Sequence, residues 1–133
     1  MAKILIVEDD QSLYNLYATE FSLRGHEATW AKDGEEGLVM AKSGQFKLVL
    51  LDIMLPKANG LDILTQLRQD SATKSLPVMM LTNFGNEENV KRALESGAED
   101  FILKYKIVPS EVVDKVEAAL GQKKDKAVAI TTE

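Results

Sequence analysis

Hydrophobic positions along this chain follow two different periods. Four short apolar runs, Lys3-Ile-Leu-Ile-Val7, Lys47-Leu-Val-Leu-Leu51, Pro77-Val-Met-Met-Leu81 and Asp100-Phe-Ile-Leu103, are separated by longer stretches where apolar residues recur every three to four positions. Runs without polar alternation suit strands buried on both faces, and the 3.6-residue period between them suits helices packed on those faces. Glu27-Ala-Thr-Trp-Ala31 is a fifth, more polar run, predicted to lie at a sheet edge. The alternation predicts an α/β fold in which one parallel sheet is covered by helices on both sides. Leu13, Leu16, Tyr17 and Phe21 form the first helical stripe, and Gly25 is placed to end that helix in a left-handed conformation. Asp33 and Glu36 read as a capping box for a second helix that Gly44 ends. Leu61, Leu64 and Leu67 give the inner face of a third. Asn86 caps a fourth, with Glu87 and Glu88 where the helix dipole favours anions. Val112, Val113, Val116 and Leu120 mark a fifth, which Gly121 is expected to close. These limits predict one domain over residues 1–121. Residues 122–133, with no stripe that reaches a core, read as a flexible C-terminal tail or linker stub. His26, beside Gly25, reads as a solvated turn residue without a role.

Composition narrows the classes. A chain of 133 residues, 45% hydrophobic and 28% charged, fits one globular domain with a sizeable core. It has no cysteine, which rules out disulfides and thiolate metal sites, and a single histidine rules out a multi-histidine zinc site. The first apolar run is too short for a signal-peptide core or a membrane span, so a cytoplasmic location is expected. A net charge of −5 argues against direct binding to nucleic acid or to an anionic membrane and is compatible with a small cation.

The polar residues at the ends of the runs change the picture further. The first run leads into Glu8, Asp9 and Asp10, the second into Asp52, the third into Thr82 and the fourth into Lys104. In neighbouring parallel strands these groups converge at the carboxyl edge of the sheet, where open α/β sheets bind ligands. Carboxylates without histidine or cysteine select hard cations such as Mg²⁺, Mn²⁺ or Ca²⁺. Without a cation, two carboxylates at ~4 Å repel by roughly 4 kcal/mol at an effective dielectric near 20. Asp10 is read as a helix cap. Asp52 can attack a phosphoryl group and hold it as a mixed anhydride, while Lys104 supplies a point charge and Thr82 a hydroxyl to the phosphoryl oxygens. Singly, each is an ordinary strand-end polar residue; the ordered set carries the argument.

Leu51-Asp-Ile-Met-Leu-Pro-Lys-Ala-Asn-Gly60, with Ile6-Val-Glu-Asp-Asp10, Met80-Leu-Thr82 and Ile102-Leu-Lys104, resembles the receiver domain of bacterial two-component response regulators over roughly residues 3–120. The intervals agree: 30 residues from Asp52 to Thr82 and 22 from Thr82 to Lys104. The resemblance implies a flavodoxin-like, doubly wound sheet of five parallel strands in the order 2-1-3-4-5 with five helices. It implies phosphorelay signalling rather than enzymatic turnover, the chain's only reactions being its own phosphorylation and dephosphorylation. Asp52 would be the modified residue, accepting a phosphoryl group from a sensor histidine kinase or a phosphotransfer protein. The implied Mg²⁺ ligands, with Mn²⁺ as a substitute, are Asp9 directly, Glu8 mainly through water, Asp52, and the backbone carbonyl of Met54. Thr82 and Lys104 would grip the phosphoryl oxygens, and Pro56 and Gly60 would shape the turn after Asp52. Phe101 would be the switch aromatic, turning inward as Thr82 moves. The fourth helix, fifth strand and fifth helix would then contact a downstream protein or a second copy, giving a phosphorylation-linked homodimer.

Three features depart from the family pattern. Lys104-Tyr105 stands where the family carries Lys-Pro with a cis peptide, and a non-proline cis bond costs ~3 kcal/mol. The segment from Lys104 to Val112 is one residue longer than is common. Asn83 and Phe84 follow Thr82, where a small residue usually comes first. Met54 and Phe84, both apolar, are expected to shield an acyl phosphate from water. Three other readings compete. An aspartate-nucleophile phosphatase needs a second acid two positions after the nucleophile, where Met54 stands. A flavodoxin-type nucleotide domain needs a phosphate cradle where Glu8-Asp-Asp-Gln-Ser12 places carboxylates. An unphosphorylated pseudo-receiver stays open because of Asn83 and Tyr105. A single-domain regulator and the receiver part of a longer chain remain equally compatible with the sequence.

Overall fold

The computed structural model describes residues 1–132, with side chains through Gly121. Strand β1 (Lys3–Val7) is followed by α1 (Gln11–Leu23), β2 (Glu27–Ala31), α2 (Gly34–Ala41), β3 (Leu48–Leu51), α3 (Gly60–Gln69), β4 (Val78–Thr82), α4 (Glu87–Glu95) and β5 (Asp100–Leu103). A single 3-10 turn (Lys104–Lys106) then leads into α5 (Pro109–Thr132). All strand pairings are parallel and the order is β2-β1-β3-β4-β5, with the polar run β2 at the edge.

The unbroken apolar strands divide their side chains between two cores. Leu5, Val7, Val49, Leu51 and Met80 pack with Leu61, Leu64 and Leu67 of α3 on one face. Ile4, Ile6, Leu48, Leu50 and Ile102 pack with Tyr17 and Phe21 of α1 and Val112, Val113 and Val116 of α5 on the other. Burying one such leucine or isoleucine stabilises the fold by about 1.5–3 kcal/mol. The polar caps act as their chemistry predicts: Asp10, Asp33 and Asn86 accept from backbone N–H groups at the starts of α1, α2 and α4. Gly25 takes a positive φ of 80° just after α1, as expected of a glycine that ends a helix.

Register sets the site. Val7 lies opposite Leu51, Leu51 opposite Met80, and Thr82 opposite Leu103. Glu8, Asp52, Thr82 and Lys104 therefore come within about one residue of the strand ends along a single edge.

Three expectations are corrected. Leu16 is 57% exposed, and the buried stripe of α1 runs instead through Tyr17 and Phe21, with Leu13 and Tyr14 half-buried. At about 100° per residue Leu16 falls well to the side of Tyr17. Gly121 does not end α5, which continues to Thr132. It is not among the glycines with positive φ, and a glycine inside a helix costs only about 1 kcal/mol. Whether residues 122–133 form a flexible tail lies outside the described side chains. His26 is not a solvated turn residue. Its Nδ1 accepts the Ala2 N–H at 3.1 Å, so Nε2 carries the proton and donates to Glu117 at 2.8 Å. Arg24 joins the same clasp, donating to Asp114 at 2.6 Å, Glu117 at 3.0 Å and the Ser110 carbonyl at 2.9 Å. The partners on α5 lie about ninety residues away in sequence, so no local pattern could have announced them.

Candidate functional site

Lys104 is the centre of the site. Its ammonium lies 2.6 Å from Asp52 Oδ2 and 2.5 Å from Glu8 Oε1, with all three side chains at most 10% exposed. The backbone ends β5 and enters the 3-10 turn without a cis bond; among the described residues no peptide is cis. Tyr105 in place of proline therefore does not prevent Lys104 from reaching Asp52. Burial alone would pull the lysine pKa down, but the bonds to Asp52 and Glu8 outweigh it and hold the pKa above the ordinary lysine value. Burial pushes the Glu8 carboxyl above its usual value, and the neighbouring Asp52 charge adds to this against the opposing pull of Lys104 and the Asp10 N–H.

The other bonds hold the carboxylates in place. Asp52 Oδ1 accepts from the Ile53 N–H at 2.7 Å, and Glu8 Oε2 accepts from the Asp10 N–H at 3.1 Å. Asp9 is exposed, yet one oxygen from each of Glu8, Asp9 and Asp52 lies within 4.8 Å of the others. Three hard oxygen donors this close match the preference of Mg²⁺ or Mn²⁺ for a few carboxylates with water completing the shell. The donor set fits the implied ion.

After Asp52 the chain turns sharply. The Gly60 N–H donates to the Ile53 carbonyl at 2.7 Å and the Gly34 N–H to the Pro56 carbonyl at 3.2 Å. Among the described residues no backbone N–H donates to the Met54 carbonyl. A Cβ at Gly60 would overlap the Asp52 carbonyl oxygen, so glycine is required by close approach. Thr82 is fully buried at the end of β4, and its hydroxyl oxygen accepts the Phe84 N–H at 3.3 Å. Phe101 is half-buried against the core on the α3 side of the sheet. Met54 and Phe84, which follow Asp52 and Thr82 by two residues each, are 56% and 47% exposed. Tyr17 lies fully buried beneath this edge, its phenol pushed up to about 12 by burial and so neutral at ordinary pH.

One supporting residue is invisible to strand-end reasoning. The indole N–H of Trp30 on β2 donates to the Glu8 carbonyl at 2.6 Å, and the ring stacks on Tyr14 of α1. The only sequence signal was an aromatic in an otherwise polar edge run, which packing alone explains.

Comparison with known proteins identifies the arrangement. The family described as the response regulator receiver domain matches residues 4–117. Among curated relatives, the dual master transcriptional regulator RpaA of Synechocystis is 35% identical over 90% of this chain and 49% of its own length. The alkaline phosphatase synthesis regulator PhoP of Bacillus subtilis is 37% identical over 89% of the chain and 48% of its own length. The chain thus spans about half the length of the curated relatives it matches. A CheY-like receiver domain from Methanospirillum hungatei superposes with a TM-score of 0.86 at 26% identity, covering 95% of this chain and 98% of that one. The beryllofluoride-activated receiver domain of Klebsiella pneumoniae RstA gives 0.80 at 30% identity, covering 89% and 97%.

Proposed function

The chain belongs to the response regulator receiver domain family, and from that premise we propose that it is a Mg²⁺-dependent phosphorelay switch with Asp52 as the phosphoryl acceptor. The observation that carries this reading is the double contact of Lys104 with Asp52 and Glu8, beside an acidic trio within 4.8 Å. An Asp52 carboxylate oxygen forms a bond to phosphorus as the P–N bond of a phosphohistidine breaks, and the electron pair returns to the imidazole nitrogen, which takes up a proton. Lys104 balances the charge gathering on the phosphoryl oxygens, and the Thr82 hydroxyl donates to one of them. Asp9, Glu8, Asp52 and the free carbonyl of Met54 would hold Mg²⁺ or Mn²⁺, which neutralises phosphoryl charge when bound. A sensor histidine kinase or phosphotransfer protein supplies the phosphoryl group. Thr82 and Phe101 pass the change to the face of α4, β5 and α5, which engages a downstream protein or a second copy of the chain. The domain proper is residues 1–121, and its setting is the cytoplasm; no helix among the described residues is long and apolar enough to cross a membrane.

Acetyl phosphate with Mg²⁺, followed by intact mass, tests the reading. Wild type gains one phosphoryl unit and Asp52→Ala gains none; an unmodified wild type returns the pseudo-receiver alternative. The same sample followed in time tests the shield. If Met54 and Phe84 close over the acyl phosphate, loss is slow, and a half-life of seconds contradicts it.

A further inference from the structure

We infer that Trp30 is a positioning residue for the acidic pair: its indole N–H fixes the Glu8–Asp9 peptide and, through it, the direction in which Asp9 meets a divalent cation. The inference rests on the metal reading proposed above and concerns a residue that supplies no ligand. Two of the three carboxylates are held by their own side chains. Glu8 is gripped by Lys104 and the Asp10 N–H, and Asp52 by Lys104 and the Ile53 N–H. Asp9 accepts no hydrogen bond among the described residues and is exposed, so its aim depends on the backbone that carries it.

That backbone lies at the point where sheet pairing stops. The Glu8 N–H still donates to the Ala31 carbonyl at 3.0 Å, but Glu8 lies past the last residue of β1. The indole of Trp30 takes up its carbonyl oxygen at 2.6 Å. Because the peptide unit is planar, anchoring the Glu8 oxygen also fixes the Asp9 N–H and restricts the two torsions on either side of it. The anchor is itself braced. The Trp30 ring stacks on Tyr14 with centroids 5.5 Å apart and planes 18° from parallel, and the Tyr14 hydroxyl donates to the Ala28 carbonyl at 3.2 Å. β2, α1 and the loop between β1 and α1 are thus closed into one ring of contacts. Mg²⁺ demands near-ideal octahedral geometry, so a displaced carboxylate is felt in its affinity. Groups that orient metal ligands typically change affinity by about 10–100-fold when lost.

The test is Mg²⁺ affinity by calorimetry for the whole chain and its Trp30→Phe variant, which keeps an aromatic ring for Tyr14 and removes only the N–H donor. The expected result is a Kd raised by about tenfold. A residue that merely stabilised the fold would lower the unfolding midpoint and leave the Kd within twofold of wild type, and that result overturns the inference. Wild type that takes up no Mg²⁺ would overturn the metal reading instead, and this inference with it. A second measurement needs no variant: Trp30 is the only tryptophan, so the indole gives a single N–H resonance. It should exchange slowly with solvent and shift on Mg²⁺ addition. Fast exchange in the Mg²⁺-loaded protein, or a resonance indifferent to Mg²⁺, contradicts the assignment.

Discussion

Lys104 pairs with two carboxylates at once, so the consequences of removing charge at this site are unequal. The ammonium, 2.5 Å from Glu8 and 2.6 Å from Asp52, relieves much of the repulsion that neighbouring carboxylates suffer without a metal. Asp52→Asn leaves Lys104 on Glu8 and removes a like-charge neighbour, so it should change metal-free stability by no more than about 1 kcal/mol. Lys104→Met instead leaves two buried carboxylates side by side without a cation and should cost about 3 kcal/mol. Denaturant unfolding of both variants without metal checks the contrast, and equal losses would contradict it. Glu8 also carries a pH signature. Its folded pKa lies above the ordinary value of 4.5, chiefly through burial. Its contribution is therefore fully present below that value and is lost as pH rises through the folded pKa. The metal-free unfolding midpoint should carry this falling component, and Glu8→Gln should remove it; an unchanged pH profile in the variant would contradict the assignment. Asp52, Glu8, Thr82 and Lys104 were legible from their places at the ends of apolar runs. The role of Trp30 was not, because a donor aimed at a backbone carbonyl 22 residues away leaves no trace in hydrophobic period.

At the scale of elements, local rules were reliable where the chemistry is local. Asp10, Asp33, Asn86 and Gly25 act where their side chains or conformational freedom placed them. Two readings failed for different reasons: Leu16 shares the composition of the α1 stripe but is turned off it by helix geometry, and His26 is captured by the distant Glu117 of α5. Gly121 shows the limit of a one-residue stop signal, since a helix can absorb a glycine when no left-handed turn follows. The connection from β3 to α3 leaves no room for a side chain at its end. Gly60 begins α3 hard against the Asp52 carbonyl, so any Cβ must push that backbone away. Gly60→Ala should lower stability by more than the 1 kcal/mol or so that glycine-to-alanine normally returns to a helix, and should weaken phosphorylation of Asp52 as well. Thermal unfolding with the acetyl phosphate assay measures both, and a variant of wild-type stability and activity would contradict the close approach.

Across the whole molecule, fold and chemistry share one cause. A doubly wound parallel sheet brings four strand ends to one edge, and strand register aligns them. The apolar runs made this architecture readable, and the resemblance supplied the strand order, which spacing alone does not encode. The sheet buries the stems of the reactive groups while leaving Asp9, Met54 and Phe84 at the rim. These separate segments are expected to meet one cation and one phosphoryl group together. Backbone amide resonances of the chain with Mg²⁺, with beryllofluoride, and with both test it most directly. Glu8 to Asp10, Asp52 to Met54, Thr82 to Phe84 and Lys104 should move together when both are present, and Asp52→Ala should abolish the response to beryllofluoride. Shifts confined to one of these segments, or a response that survives in Asp52→Ala, would contradict it.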